Sequence, residues 1–248
     1  MRPIILIPAR LGATRLPDKP LADINGLPMI VHVVRRAEAA DLGPVVVAAA
    51  ESAIVEAVTA HGGRAVLTDP ALPSGSDRVH AAANLVDPER DHDVIVNLQG
   101  DLPTIDPATL QACLAPLADE AVQIGTAAAP IDDPGERESP SVVKIAMAPG
   151  EVGEVRRAHY FSRGAIPFGE GPSYHHIGLY AFRRAALDRF VGLPPSPLEQ
   201  RERLEQLRAL ELGMPIGVAI VARSVPGVDT AADLEAARAA LGKTGGSS

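Results

Sequence analysis

The sequence predicts an α/β protein with a mostly parallel central sheet, and three observations support this fold class. Short apolar runs rich in β-branched residues alternate with stretches of helical periodicity through the first half of the chain. These runs are continuously apolar, as in strands that helices cover on both faces. The chain has 248 residues, which is enough for one large α/β domain or for a main domain with a smaller lobe.

Predicted strands and helices alternate from the N-terminus to residue 130. Residues 29–39 illustrate the helical pattern, because their apolar side chains share one face that suits packing on a sheet. The residues on that face are Ile30, Val33, Val34 and Ala37. The predicted strands are 4–7, 45–49, 65–67, 94–98 and 122–128. The predicted helices are 29–39, 52–60, 77–85 and 107–117.

The alternation breaks after Pro130, where a polar, proline-containing segment begins. The rest of the chain predicts strands at 142–147, 176–182 and 216–221, and helices at 184–191, 198–212 and 231–241. We therefore expect a core of residues 1–130 and 176–241, with an inserted lobe at 131–175. The last residues, 242–248, read GKTGGSS and are expected to form a disordered tail.

Composition argues against several classes of protein. The formal net charge of -8 and a pI near 5.4 do not suit a nucleic-acid-binding protein, which needs a basic face. No apolar run approaches the ~18 residues of a membrane helix, and the N-terminus carries no signal-peptide pattern. Cys113 is the one cysteine, which suits a reducing compartment. We expect a cytoplasmic protein without membrane insertion.

Three cations gather in the loop that follows the first strand. Residues 7–21 read IPARLGATRLPDKPL and carry Arg10, Arg15 and Lys19. A loop at the carboxyl end of a parallel strand is where backbone amides and basic side chains bind phosphate in α/β proteins. The alternative is a solvated surface loop, and the spacing favours the anion site.

Two carboxylates are candidates for a metal site. In VIVNLQGDLP, residues 94–103, an apolar strand ends in Gln-Gly-Asp and so puts Asp101 at its carboxyl end, where an exposed carboxylate can bind Mg²⁺ that carries a nucleotide phosphate. A turn cap before Pro103 explains Asp101 equally well. Asp229 precedes Thr230 and Asp233, which have the spacing of an N-cap and a capping box for the last helix. Capping accounts for Thr230 and Asp233 better than for Asp229, which is the second metal candidate.

His175 and His176 are adjacent in a predicted strand. Neighbouring strand residues point to opposite faces, so the two imidazoles are not expected to bind one metal together. One of them could face a substrate, although an ordinary strand histidine is the simpler explanation.

Seven motifs in this order resemble the 3-deoxy-manno-octulosonate cytidylyltransferase family, across roughly residues 3 to 240. The motifs are IPARLGATRLPDKPLADINGLPMIVHV, SGSDRV, IVNLQGDLP, YFSRGAIPF, HHIGLYAF, PSPLEQRERLEQLR and GVDTAADLE. The resemblance implies a three-layer α/β/α nucleotidyltransferase fold with a small dimerisation lobe, and therefore a homodimer. It also implies a Mg²⁺-dependent reaction in which CTP and 3-deoxy-manno-octulosonate (Kdo) give CMP-Kdo and diphosphate.

The resemblance assigns roles to particular positions. CTP would be bound by Ala9, Arg10, Arg15, Lys19, Ser74, Arg78 and Gln99. Kdo would be bound by Gln99, Arg163, His176, Tyr180, Glu205 and Gln206, with Arg163 facing its carboxylate. Asp101 and Asp229 would hold the metal and, with Lys19, form the catalytic set. No histidine is evidently placed as a general base, so metal activation of the sugar hydroxyl is expected.

The chain departs from the family at a few positions. Leu102 stands where the family usually has Glu, Phe168 where it usually has Trp, and Ala231 with Ala232 where it has Pro-Glu. None of these changes removes a charged group that the reaction needs.

Three other functions remain open from the sequence. A cytidylyltransferase for 8-amino-Kdo could keep nearly every motif, whereas one for a sialic acid would have a different first loop. A catalytically silent nucleotide-binding protein would not need both Asp101 and Asp229. Terpenoid-precursor cytidylyltransferases carry an Ala-Ala-Gly loop that this chain lacks.

Overall fold

The computed structural model describes residues 1–12 and 16–244. The chain forms two compact units, one of Met1–Leu110 with Val225–Ser248 and the other of Gln111–Ser224. The predicted lobe at 131–175 falls within the second unit, and its boundaries remain a prediction.

The first unit has a parallel sheet of four strands in the order β5-β4-β1-β6. These strands are β1 (Pro3–Ala9), β4 (Val45–Ala49), β5 (Ala65–Leu67) and β6 (Val94–Leu98). Every residue of β4 and β6 is buried, as their continuous apolar character predicts. The predicted α/β class with a mostly parallel sheet is confirmed. A separate pair, β2 (Asp23–Ile24) and β3 (Leu27–Pro28), turns at Asn25 and Gly26, whose φ angles of 53° and 86° match an Asn-Gly hairpin.

Helices of this part of the chain follow the predicted positions closely. They are α1 (Met29–Ala39), α2 (Ser52–Ala60), α3 (Gly75–Val86), α4 (Pro107–Ala112) and α9 (Ala231–Thr244), with a 3₁₀ turn η1 (Lys19–Leu21). The apolar face predicted for residues 29–39 is buried. The helix predicted at 107–117 ends early, and a 3₁₀ turn, η2 (Ala115–Ala118), follows it. Pro116 accounts for the break, because it cannot donate a helical hydrogen bond.

The second unit mixes parallel and antiparallel pairing. Its strands are β7 (Ile124–Pro130), β8 (Lys144–Ala146), β9 (Val155–Arg157), β10 (Tyr160–Ser162), β11 (Tyr174–Arg183) and β12 (Ile216–Ile220). β7 pairs in parallel with β12 and antiparallel with β11. β8 pairs antiparallel with β10 and β11, and β9 with β12. The short strands β9 and β10 and the helix α5 (Pro134–Glu138) were not predicted from the sequence.

Two helix predictions in the second half of the chain need correction. The single helix predicted at 198–212 is two helices, α7 (Pro197–Glu202) and α8 (Gln206–Glu211), while α6 (Arg184–Val191) lies as predicted. Arg203 adopts the left-handed conformation with φ 56°, which ends α7. The last helix continues to Thr244, past the predicted end at residue 241, and residues 245–248 of the predicted tail lie outside the described residues.

Within residues 1–12 and 16–244, no helix combines the length and the apolar character needed to cross a membrane.

Candidate active site

A cavity of about 300 Å³ opens at the carboxyl ends of β1 and β6 in the first unit. Gly100 lets these two strand ends approach, because a Cβ there would lie 2.9 Å from the Pro8 carbonyl oxygen. The cavity wall includes the described residues that sequence reasoning assigned to CTP, together with Asp101: Ala9, Arg10, Lys19, Ser74, Arg78, Gln99 and Asp101. Arg15, the remaining predicted CTP contact, lies outside the described residues.

Lys19 joins the two predicted metal ligands. Its Nζ donates to Asp101 Oδ2 at 2.8 Å and to Asp229 Oδ1 at 3.0 Å. Burial alone would lower the pKa of Lys19, but the charges of Asp101 and Asp229 and their hydrogen bonds outweigh it, so the pKa is raised. The lysine is therefore a cation at neutral pH, and it holds two carboxylates that are 82 and 210 residues away in sequence.

Backbone contacts bring Asp229 to Asp101. The Val228 amide donates to the Asp101 carbonyl oxygen at 2.9 Å, which places residue 229 beside the end of β6. Asp233 Oδ2 accepts from the Asp229 amide at 3.0 Å and from the Thr230 amide at 2.8 Å, and Thr230 Oγ1 accepts from the Asp233 amide. The predicted capping roles of Thr230 and Asp233 are confirmed, and they leave the Asp229 carboxylate directed at Lys19.

Ser74 and Arg78 lie in the cavity wall but are also held by their own chain. Ser74 is the N-cap of α3, where Oγ accepts from the Asp77 amide at 3.2 Å. The buried Arg78 guanidinium donates to Thr68 Oγ1 at 2.6 Å and to the Asp69 carbonyl oxygen at 3.1 Å. Burial lowers the pKa of Arg78, and Arg10 adds to that effect while Glu51 opposes it. Arg78 therefore anchors the loop that forms one side of the cavity.

Sequence reasoning missed two polar residues that support the cavity. Asn97 is buried in β6 and accepts from Gln99 Nε2 at 3.0 Å, so it orients the predicted ligand Gln99. Glu51 Oε2 accepts from the Leu11 amide at 3.0 Å and so fixes the start of the cation-rich loop. An Asn inside an otherwise apolar strand was the available signal for the first; Glu51 offered none.

The predicted sugar-binding residues lie in the second unit, Gln99 excepted, and His176 and Tyr180 are brought together there. The His176 ring centroid is 5.4 Å from that of Tyr180 and 5.0 Å from that of Phe161. Burial, with a smaller effect of His175, lowers the pKa of His176 to about 3, so the ring is neutral at physiological pH. Burial and then Glu205 raise the pKa of Tyr180 well above its ordinary value, so its hydroxyl keeps its proton. Gln206 is buried at the start of α8, next to Glu205.

Arg163 directly follows β10, and its guanidinium donates to backbone rather than to a carboxylate. Its Nε donates to the Glu202 carbonyl oxygen and its Nη1 to the Pro140 carbonyl oxygen, both at 3.1 Å. The Glu202 carboxylate instead accepts from Ser162 Oγ and from the Arg163 amide. A guanidinium has five N–H donors, so this arrangement leaves capacity for an anionic ligand.

Lys144 is a second lysine with a very different setting. It is fully buried, and Nζ donates to the carbonyl oxygens of Ser139, Val142 and Arg163 at 2.8, 2.7 and 2.6 Å. Burial is the main cause that lowers its pKa. The three ammonium protons of Lys144 are each donated to a different carbonyl oxygen. Lys144 therefore links residues 139–142 to the Arg163 backbone. A lysine within the apolar run VVKIAM was the signal for it in the sequence.

The two adjacent histidines point to different partners, as predicted from strand geometry. His175 Nδ1 pairs with Glu136 Oε1, whereas His176 Nε2 lies 3.0 Å from Thr126 Oγ1. Across the described parts of the chain, no three His, Cys, Asp or Glu residues form a metal-binding group.

Comparison with other proteins gives consistent matches over nearly the whole chain. A family model described as Cytidylyltransferase matches residues 4–216. A 3-deoxy-manno-octulosonate cytidylyltransferase of Rhodospirillum centenum is 63% identical over 241 residues, covering 96% of this chain and 93% of its own length. One from Methylobacterium sp. (strain 4-46) is 62% identical over 240 residues, covering 96% of each chain.

Solved structures agree with these matches. A CMP:2-keto-3-deoxy-manno-octonic acid synthetase in complex with CTP has a TM-score of 0.90 at 38% identity, covering 98% of this chain and 100% of its own. A nucleotidyl transferase from Methanothermobacter thermautotroptrophicus has a TM-score of 0.61 at 16% identity, covering 98% of each chain. The second likeness concerns the fold alone.

Proposed function

The chain belongs to the 3-deoxy-manno-octulosonate cytidylyltransferase family and transfers CMP from CTP to Kdo, and from this premise we propose how its residues divide the work. The first-unit cavity binds the nucleotide, and the group around His176 in the second unit binds the sugar acid. The observation that carries this division is the sharing of Lys19 between Asp101 and Asp229 at the cavity wall. The sugar 2-hydroxyl attacks the α-phosphorus of CTP, and diphosphate leaves.

On the nucleotide side, Arg10, Arg15 and Lys19 neutralise the triphosphate, and Ala9, Ser74, Arg78 and Gln99 shape its surroundings. The N-terminus of α3, capped by Ser74, adds backbone amides and a positive dipole end to the same cavity. A bound triphosphate offers Lys19 new oxygen partners. When Lys19 moves from the carboxylates to these phosphate oxygens, Asp101 and Asp229 are left with uncompensated negative charge beside the phosphates.

Asp101 and Asp229 fit a Mg²⁺ site. Both carboxylates lie within 3.0 Å of one ammonium nitrogen, so a single cation can contact both. Two carboxylates completed by phosphate oxygens and water are the ligand set that Mg²⁺ favours in nucleotide enzymes. When bound, Mg²⁺ would supply phosphate neutralisation and a lower pKa for the attacking hydroxyl. Lys19, released from the carboxylates to the phosphate oxygens, stabilises negative charge on the departing diphosphate.

On the sugar side, Arg163 binds the Kdo carboxylate, and His176, Tyr180, Glu205 and Gln206 bind its hydroxyls. A neutral His176 with a pKa of about 3 is a poor base at physiological pH, which supports its assignment to binding rather than to proton abstraction. Tyr180 keeps its proton and can donate to the sugar.

We also propose that the protein is a cytoplasmic homodimer that associates through residues 131–175. Phe168 supports this, because its side chain is fully exposed although it is a large aromatic. Sedimentation of the wild type and of Phe168→Ser tests the assembly. A monomeric wild type would contradict it.

Diphosphate release tests the whole assignment. The enzyme is supplied with CTP and Mg²⁺, and release is compared for Kdo, 8-amino-Kdo and a sialic acid, with CTP alone as the blank. We expect Kdo to give the highest kcat/KM. Faster turnover with 8-amino-Kdo or a sialic acid would assign the site to that sugar instead.

A further inference from the structure

The pairing of β7 with β11 is interrupted by a bulge, and the Thr126 side chain hydrogen-bonds to the backbone of that bulge. Ala127 is opposite Ile177, but the next residue of β7, Thr126, is opposite Tyr180, so residues 178 and 179 have no partner on β7. Such a bulge leaves backbone groups outside the regular ladder. Thr126 is fully buried there, and its Oγ1 lies 2.6 Å from the Leu179 carbonyl oxygen and 3.4 Å from that of Ile177.

The Thr126 hydroxyl has one proton, and its surroundings decide where that proton points. A carbonyl oxygen can only accept, and the Leu179 oxygen is so close that the proton must lie between it and Oγ1. Oγ1 is also 3.0 Å from His176 Nε2. Because its proton is already donated to Leu179, Oγ1 can only accept from His176, which therefore carries a proton on Nε2.

The other ring nitrogen of His176 is consequently an acceptor. A neutral imidazole has one protonated nitrogen, and burial keeps this ring neutral, with a pKa of about 3. The hydrogen bond described for the His176 ring is the one at Nε2. The rings of Phe161 and Tyr180, at centroid distances of 5.0 and 5.4 Å, hold the imidazole plane.

We propose that Thr126 is a positioning residue for sugar recognition: its hydroxyl fixes His176 as the Nε2-protonated tautomer, so that Nδ1 accepts a hydrogen bond from a hydroxyl of the sugar acid. The proposal rests on the proposed function in one respect, the placement of His176 at the sugar. It assigns Thr126 an effect on the sugar without any contact to it.

Two substitutions separate the hydroxyl from the shape of the side chain. Thr126→Val keeps the volume and removes the hydroxyl, and Thr126→Ser keeps the hydroxyl. The first measurement is the ¹⁵N spectrum of histidine-labelled, ligand-free protein, with His176→Gln identifying the signals of residue 176. We expect the wild type and Thr126→Ser to show protonated Nε2 and unprotonated Nδ1, and Thr126→Val to lose this preference.

Steady-state kinetics give the second measurement. Thr126→Val should raise the KM for Kdo roughly tenfold, the upper range for one hydrogen bond, with the KM for CTP changed less than about twofold. Thr126→Ser should restore the wild-type KM.

Several results would overturn the proposal. One is a protonated Nδ1 in the wild-type spectrum, which needs no variant to fold. Another is a Thr126→Val enzyme in which the KM values for both substrates change together with the melting temperature, since this marks a purely structural threonine. A third is a wild-type spectrum with protonated Nε2 combined with an unchanged KM for Kdo in His176→Gln. This result would show that His176 does not bind the sugar, which contradicts that part of the proposed function, while the tautomer assignment would stand.

Discussion

The cavity of the first unit and the group around His176 in the second unit differ in their electrostatic character. Around Lys19 the binding groups are charged, and the exposed fractions of the Lys19, Asp101 and Asp229 side chains are 16%, 31% and 49%. The His176 ring and the Thr126 hydroxyl are neutral and buried, and their protons are fixed by hydrogen bonds within the chain. Triphosphate and metal require charges that can exchange partners, whereas sugar hydroxyls require donors and acceptors of fixed direction.

This contrast predicts different responses to mutation. Changes on the nucleotide side should alter the chemical step or CTP affinity. Changes on the sugar side should alter Kdo affinity or folding. The following experiments test that separation.

The largest effect is expected for Asp101→Asn. The substitution removes one negative charge from the proposed metal site and should lower kcat by roughly 10²-fold or more, the scale for one lost electrostatic stabiliser. The melting temperature should change little. Steady-state assays at saturating Mg²⁺ measure this, with Asp106→Asn, an exposed aspartate in the segment before α4, as the matched control. Near wild-type turnover of Asp101→Asn would exclude Asp101 from the mechanism.

Arg163→Lys tests the positive charge assigned to the sugar side. A lysine cannot reproduce a bidentate guanidinium–carboxylate pair, so the KM for Kdo should rise more than about tenfold, beyond ~1.4 kcal/mol, while the KM for CTP stays constant. The exposed Arg157→Lys is the control. The carbonyls of Glu202 and Pro140 offer the competing explanation, a structural role. That role predicts a lower melting temperature with equal losses for both substrates.

Lys19→Ala should weaken CTP binding about fivefold, near 1 kcal/mol, because the triphosphate loses a cation while two carboxylates lose their counter-charge. Kdo affinity should stay nearly unchanged. Isothermal titration with each ligand measures both values. Arg35→Ala, which removes a positive charge from the exposed surface of α1, is the control for net charge. If Lys19→Ala weakens both ligands equally, loop disorder is the better explanation.

The smallest effect concerns acid stability. The pKa of His176 is about 3 in the folded protein and 6.5 in the unfolded chain, so the unfolded state binds more protons below pH 6.5 and stability falls as pH decreases from there towards 3. At pH 6.0 this costs about 0.8 kcal/mol. Denaturant unfolding at pH 7.5 and 6.0 should show that His176→Gln loses less stability between the two values. An identical pH dependence would place a charged, accessible imidazole at residue 176.

The sequence singled out the three charged side chains that meet at the cavity, but few of the residues that support them. Lys19, Asp101 and Asp229 follow recognisable motifs at strand ends and before a helix, where α/β proteins bind ligands. The left-handed Arg203 that divides α7 from α8 has no local signal comparable to a glycine. Thr126 and Lys144 depend on a bulge and on carbonyls from distant segments, and such partners exist only after the chain has folded.

Lys144 has a consequence for proteolysis. Trypsin must draw a lysine side chain into its own pocket, but this ammonium is sealed among the carbonyls of Ser139, Val142 and Arg163. Cleavage after Lys144 therefore requires these segments to separate first. When reclosing is faster than cleavage, the cutting rate reports the free energy of that local opening. The rate of cleavage between Lys144 and Ile145 therefore measures the local stability of this part of the second unit.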